Sequence, residues 1–149
     1  MSKIEIVPFK SEHAKQILDK GLNDVALELR PEHKKYVVEI EDIGMSFTGL
    51  LNNQPIAAGG ICYLWDGVAE GWVLASRDIF KYPIFCAKTI KRRTDLLAIN
   101  NKINRIQTAV KSDCDRAIRF AEWLGFKREG LMKKYGPGGT DHYLYAKVY

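Results

Sequence analysis

The chain reads as an α+β fold: one mixed, mostly antiparallel sheet of about seven strands carrying about four helices. Three observations lead there. Residues 45–75 hold three apolar, β-rich runs separated only by turn signals at Asn52-Asn53-Gln54-Pro55 and Trp65-Asp66-Gly67, the pattern of consecutive antiparallel strands. Two stretches, residues 83–99 and the segment ending at Gly125, place apolar residues at helical rather than alternating spacing. The last third, residues 105–149, runs strand, amphipathic helix and Gly-turned hairpin.

In chain order, residues 3–9 alternate Ile4, Ile6 and Pro8 against Lys3, Glu5 and Val7, which gives a first strand. Ser11 is expected to cap a helix carrying Ala14, Ile17, Leu18 and Leu22, with Gly21 near its end. Pro31, in Arg30-Pro31-Glu32, opens a second helix with Tyr36, Val37 and Ile40 on one face. Strands follow at 45–51, 55–64 and 68–75, and Gly59-Gly60 inside the second suggests a bulge or close packing. Pro83 starts a long helix with Ile84, Ala87, Ile90, Thr94 and Leu97 on one face and Lys88, Lys91, Arg92 and Arg93 mostly on the other. Trp65, Trp72 and Trp123 are read as core or pocket wall.

At 149 residues the chain is long enough to bury a core without disulfides or metal, and no linker, repeat or low-complexity stretch divides it, so residues 1–149 read as one domain. A net charge of +5 favours an anionic partner, and a mildly basic solvated surface explains it equally well. Cys62, Cys86 and Cys114 form no Cys-x-x-Cys pair, and His13, His33 and His142 have no helical i, i+4 partner. Those spacings argue against a disulfide framework or a metal site and for a reducing cytoplasm. There is no signal-peptide pattern and no apolar run near the roughly 20 residues a bilayer requires.

The order of elements, together with Asp113-Cys-Asp-Arg-Ala-Ile-Arg-Phe-Ala-Glu-Trp-Leu-Gly-Phe-Lys-Arg-Glu-Gly130, resembles the GNAT superfamily of N-acetyltransferases. The close match covers residues 106–149, and residues 70–76 leading to Tyr82-Pro83 also resemble a divergent phage-encoded branch. The resemblance implies an acetyl-CoA-dependent N-acetyltransferase acting on an amine acceptor, small molecule or protein. It implies that pantetheine inserts where the fourth and fifth strands splay, pairing with strand backbone at Val73, Leu74 and Ala75, with the strand edge near Ala109 to Lys111 as the other wall. The pyrophosphate should lie at the next helix N-terminus, where free amides and the helix dipole favour anions.

The chain departs from that family at three places. The Gly-rich phosphate loop is replaced by Arg77-Asp78-Ile79-Phe80-Lys81-Tyr82-Pro83, which has no Gly and loses one donor at Pro83. Arg77 and Lys81 remain as side-chain ligands for phosphate. The helical Tyr that many members use to protonate the departing thiolate aligns with Ala121, and a cofactor-contacting Asn aligns with Cys114.

Each candidate also has a plainer reading. Glu70 stands where the family places the base that deprotonates the acceptor, and is otherwise a solvated strand residue. Tyr143 and Tyr145 share a face of the last strand, as replacement proton donors or acceptor-pocket walls, or as sheet packing. His142 is expected to be exposed near the turn rather than to act as a base. Cys114 reads as a small helix-start residue in preference to a nucleophile. The basic face from Lys88 to Arg93 reads as solvated in preference to an RNA-binding surface. The rival to the enzyme is a GNAT-like protein that no longer catalyses and acts as a binding or phage structural module, its sheet cleft filled by Phe80, Tyr82 or Trp72. The acceptor and the oligomeric state stay open, a dimer among the options.

Overall fold

A computed structural model describes residues 3–20 and 45–149. In chain order it contains β1 (Ile4–Pro8), α1 (Ser11–Asp19), β2 (Ser46–Leu51), β3 (Gln54–Trp65), β4 (Val68–Ala75), a 3₁₀ helix (Arg77–Lys81), α2 (Pro83–Asn100), β5 (Arg105–Lys111), α3 (Asp115–Trp123), β6 (Lys127–Met132), a 3₁₀ turn (Pro137–Gly139) and β7 (His142–Val148). The seven strands form one sheet in the order β1-β2-β3-β4-β5-β7-β6. The β4–β5 pair is parallel, while β1–β2, β2–β3, β5–β7 and β6–β7 are antiparallel. The helix expected around Pro31, with Tyr36, Val37 and Ile40, and the end of the first helix at Gly21 and Leu22 lie outside the described residues. Three α-helices are described, against about four expected.

The chain is organised in two compact units, Met1–Cys62 with Trp72–Ile90, and Tyr63–Gly71 with Lys91–Tyr149. In the first, Phe9, Ala14, Ile17, Ala58, Cys62 and Leu74 form a core, joined by Leu18 and Trp72. Trp72 meets Phe9 edge-on at 5.0 Å. The β2–β3 turn is made by Asn52 and Asn53, both at positive φ (49° and 67°), as a tight hairpin turn needs. Ser11 is not the cap of α1: the helix begins at Ser11 and Lys10 precedes it in an extended conformation. The capping role passes to His13, whose Nδ1 accepts the Lys10 amide at 3.1 Å and lies 2.9 Å from Thr48 Oγ1. Gly59-Gly60 proves to be close packing, because a Cβ at Gly60 would run into the Met45 and Ser46 backbone and one at Gly59 into the Trp72 carbonyl. The register shift of the β2–β3 pair falls instead between Gly49 and Leu50.

In the second unit Ile103, Ile106, Val110, Ala121, Leu124, Phe126 and Tyr145 are buried. Gly125 ends α3 at φ +98°, the left-handed conformation that suits Gly after a helix. Lys147 Nζ there donates to Leu124 O and to Asp95 Oδ1, each at 2.8 Å. Trp65 and Trp123, read as core or pocket wall, are 66% and 47% exposed and so are not core. On the apolar face of α2, Ile84 is exposed and Ala87, Ile90, Thr94 and Leu97 are half-buried.

Candidate active site

Strand registers fix which side chains share a face. β4 and β5 pair in parallel at Val68–Arg105, Ala69–Ile106 and Glu70–Gln107. β5 continues against β7 through Ala109–Leu144, Val110–Tyr143 and Lys111–His142. Side chains alternate along a strand and directly paired residues share a side. Glu70, Gln107, Ala109, Lys111, Leu144 and His142 therefore line one face. Ala69, Ile106, Thr108, Val110, Tyr143 and Tyr145 line the other.

Glu70 is half-buried and makes no ion pair among the described residues. Burial pushes its carboxyl above the usual carboxylate range, because desolvation disfavours the charged form. A carboxylate so placed holds a proton more tightly than one in water and makes a stronger base once that proton leaves.

A second residue belongs with it. Tyr135 lies in the loop between β6 and β7, and its phenol is raised first by burial and then by the negative charge of Glu70. Its ring packs edge-on against His142, with centroids 5.4 Å apart. The loop is held by the Lys134 amide on Asp141 Oδ1 and the Gly136 amide on Thr140 O, both at 2.9 Å. Gly136 is required there, since a Cβ would collide with the His142 ring and the Thr140 hydroxyl. His142 is thus half-buried under Tyr135, not exposed as its place near the turn suggests. Sequence reasoning missed Tyr135 because loop residues carry no periodic signal.

On the opposite face Tyr145 is fully buried. Its hydroxyl accepts from Arg128 Nε at 3.1 Å and donates to Glu122 Oε1 at 3.0 Å. Tyr143 is half-buried, with the Arg128 guanidinium 3.7 Å from its ring centroid, a cation–π geometry. Cys114 is half-buried at the start of α3, makes no side-chain cap bond, and its amide bonds Lys111 O at 3.1 Å.

The remaining candidates lie in the first unit. Leu74 and Ala75 are buried and Val73 is half-buried. Leu74 packs into the core beside α1, so only its backbone is available to a ligand. After Ala75 the chain enters the 3₁₀ helix, with Ser76 as its cap. Ser76 Oγ accepts the Asp78 amide at 3.3 Å, Ser76 O the Ile79 amide at 3.2 Å, and Ile79 O the Tyr82 amide at 3.1 Å. Amides that a Gly loop would turn toward a phosphate are committed within the turn. Arg77 opens this helix and Lys81 closes it. Lys81 pairs with Asp78 at 3.3 Å, and Lys20 reaches the same carboxylate at 3.4 Å. Burial pushes Asp78 upward, but bonds from Lys81 and Lys20 outweigh it and hold the carboxyl below its usual value. Phe80 is 49% exposed.

Among the described residues no three His, Cys, Asp or Glu side chains cluster as a metal site would require. No described helix is long and apolar enough to cross a membrane.

No protein-family model matches the chain, and no curated protein matches it. Solved structures do. An acetyltransferase of the GNAT family from Bacillus anthracis superposes with a TM-score of 0.71 at 18% identity, over 97% of this chain and 94% of that one. Ard1 from Thermoplasma volcanium gives a TM-score of 0.78 at 14% identity, over 97% of each chain. A ribosomal-protein-S5-alanine acetyltransferase from Vibrio fischeri gives 0.71 at 16% identity, over 99% of this chain and 96% of that one. The fold is that of the GNAT acetyltransferases.

Proposed function

We propose that the protein is an acetyl-CoA-dependent N-acetyltransferase that moves the acetyl group to an amine by direct attack. The observation that carries this is Glu70: a half-buried carboxyl with a raised pKa at the last rung of the parallel β4–β5 ladder, in a chain with the GNAT fold. An ammonium has no lone pair. Glu70, directly or through water, takes one proton; the freed nitrogen attacks the thioester carbonyl carbon; as the tetrahedral intermediate collapses the nitrogen gives up a second proton to become the amide, the C–S bond breaks, and CoA leaves as a thiolate that is then protonated.

Tyr143 is assigned as the group that protonates the thiolate, from the face of the sheet opposite Glu70, so that amine and leaving sulfur are served from opposite sides of the acetyl carbon. Tyr145 is the poorer candidate, since its side chain is fully enclosed and its hydroxyl proton already points at Glu122. Backbone at Val73, Leu74 and Ala75 is assigned to the pantetheine amides, Arg77 and Lys81 to the phosphates, and Cys114 to a contact at the start of α3. Lys81 must then share itself between Asp78 and the ligand. Three free cysteines suit a reducing cytoplasm. Residues 70–76 support a place in the phage-encoded branch.

One observation favours the rival, a binding or phage structural module without catalysis: the 3₁₀ helix Arg77–Lys81, which commits amides that would otherwise meet the pyrophosphate. Against it, Trp72 packs on Phe9 in the core of the first unit and Phe80 is half-exposed, while Tyr82, the third residue named for that role, is half-buried. Isothermal titration with acetyl-CoA separates the two. The enzyme requires saturable binding, and no heat of binding at millimolar ligand leaves only the module.

A further inference from the structure

We infer that Glu70, Tyr135 and His142 form the acceptor subsite, and that it selects a primary amine with a single positive charge and a flat apolar substituent, an arylalkylamine rather than a polyamine. The inference rests on the acetyltransferase reading and adds the class of acceptor.

The registers put Glu70 and His142 on one face of the sheet, and Tyr135 packs edge-on over His142. Glu70 pairs with Gln107 and His142 with Lys111. At roughly 3.3 Å per residue the two rungs stand about 13 Å apart, with Tyr135 packed on His142 at the far one. Between them the same face carries Ala109 and Leu144, a directly paired apolar couple. An acceptor with its nitrogen at Glu70 and its substituent toward Tyr135 therefore crosses apolar surface and ends at an aromatic ring.

The charges on this face set the number of ammonium groups. Arg105 is bound by Glu129, with Nη1 2.9 Å from Oε2, and its Nε also bonds Gln107 Oε1 at 3.1 Å. Lys111 pairs with Asp113 at 3.7 Å. Glu70, between these rungs, has no ion pair among the described residues. One positive charge on the acceptor finds a desolvated carboxylate waiting. Among the described residues a second finds Glu129 and Asp113 already paired, Asp141 holding the Lys134 amide, and two cations, Arg105 and Lys111, beside them.

Tyr135 suits a recognition role because its ring is both available and fixed. It is 55% exposed, yet His142 braces it and the Asp141 and Thr140 hydrogen bonds fix the loop backbone on either side. Burial and, after it, the negative charge of Glu70 raise the Tyr135 phenol.

The test uses the full chain with acetyl-CoA and two probes, phenethylamine and spermidine, with product read by mass spectrometry and rates by loss of thioester absorbance. Phenethylamine is expected to have the higher kcat/KM by about tenfold, the scale of one aromatic contact. Tyr135→Ala should raise KM for phenethylamine about tenfold while the acetyl-CoA Kd, measured by titration, stays put. Tyr135→Phe keeps the ring and should recover most of that KM; because Tyr135 is a half-exposed loop residue, it also controls for folding. Preference for spermidine, an unchanged KM in Tyr135→Ala, or transfer to neither amine by protein that binds acetyl-CoA overturns the assignment. Wild-type protein that fails to bind acetyl-CoA refutes the enzyme itself, and the subsite with it.

Discussion

Tyr145→Phe and Tyr143→Phe should part company, one losing stability and the other turnover. Tyr145→Phe removes a hydroxyl and leaves the buried ring in place. That hydroxyl links Arg128 and Glu122 at 3.1 and 3.0 Å. A hydrogen bond to a charged group contributes about 1.5–3 kcal/mol, a neutral one nearer 1. Arg128 and Glu122 are both exposed and regain water when the hydroxyl goes, so the loss should fall at about 1–2 kcal/mol, a drop of roughly 2–8 °C in Tm for a domain of this size. Turnover should stay within a few-fold of wild type. Tyr143 has the opposite profile: its hydroxyl has no hydrogen bond among the described residues, so Tyr143→Phe should leave Tm nearly unchanged while kcat falls about 10²-fold or more, the lower range for a general acid. Thermal unfolding by circular dichroism and steady-state acetyl transfer on the same preparations give both numbers. Tyr145→Phe with intact Tm and abolished turnover, or a fully active Tyr143→Phe, would refute the assignment of roles.

Other substitutions test the frame around the site. Lys147→Met strips Leu124 O and Asp95 of a shared cation at 2.8 Å and should cost about 2 kcal/mol in urea unfolding. Burial raises Asp95, but Lys147 and Tyr149 more than offset it and hold the carboxyl low. A depressed carboxyl contributes stability above its unfolded pKa and loses it as pH falls through the folded value. Lys147→Met should therefore flatten the acid limb of stability against pH, and an unchanged limb would count against the clamp. Gly60→Ala forces a methyl into the Met45 and Ser46 backbone and should cost about 1–3 kcal/mol. Gly130→Ala, with nothing within 4 Å of the added carbon, should be close to neutral.

Much of the fold was legible because local chemistry and tertiary structure agree. Residues 68–75 are bounded by a Gly turn and a capped 3₁₀ helix, and β4 occupies the expected span. Pro83 and Gly125 marked a helix start and a helix end for reasons of φ alone. The failures are places where a distant partner decides. Ser11 lost the cap of α1 to His13, which Thr48 on β2 also engages. Trp65 and Trp123 are large and apolar, yet both stay largely exposed, Trp123 with Lys91 of α2 over its ring. The turn from Arg77 to Lys81 carried no Gly, but only the structure shows that Ser76 Oγ closes it as a 3₁₀ helix.

The site was half legible. Glu70 could be placed by its position on the fourth strand, and its desolvation is a property of the packed sheet. Tyr143 and Tyr145 were seen to share a face, but which of them is sealed depends on Glu122 of α3 and Arg128 of β6 meeting across β7. Tyr135 left no trace in any pattern, because the hairpin register and Gly136 set it against His142.

The central claim is that Glu70 removes the acceptor proton, and the pH dependence of kcat/KM for acetyl transfer, wild type against Glu70→Gln, tests it most directly. Burial raises the Glu70 pKa, so wild-type activity should rise with pH along an acid limb lying above the usual carboxylate range. Glu70→Gln should lose that limb and about 10²–10⁴-fold in rate at neutral pH. A Glu70→Gln protein with wild-type rate and an unshifted limb would contradict the account.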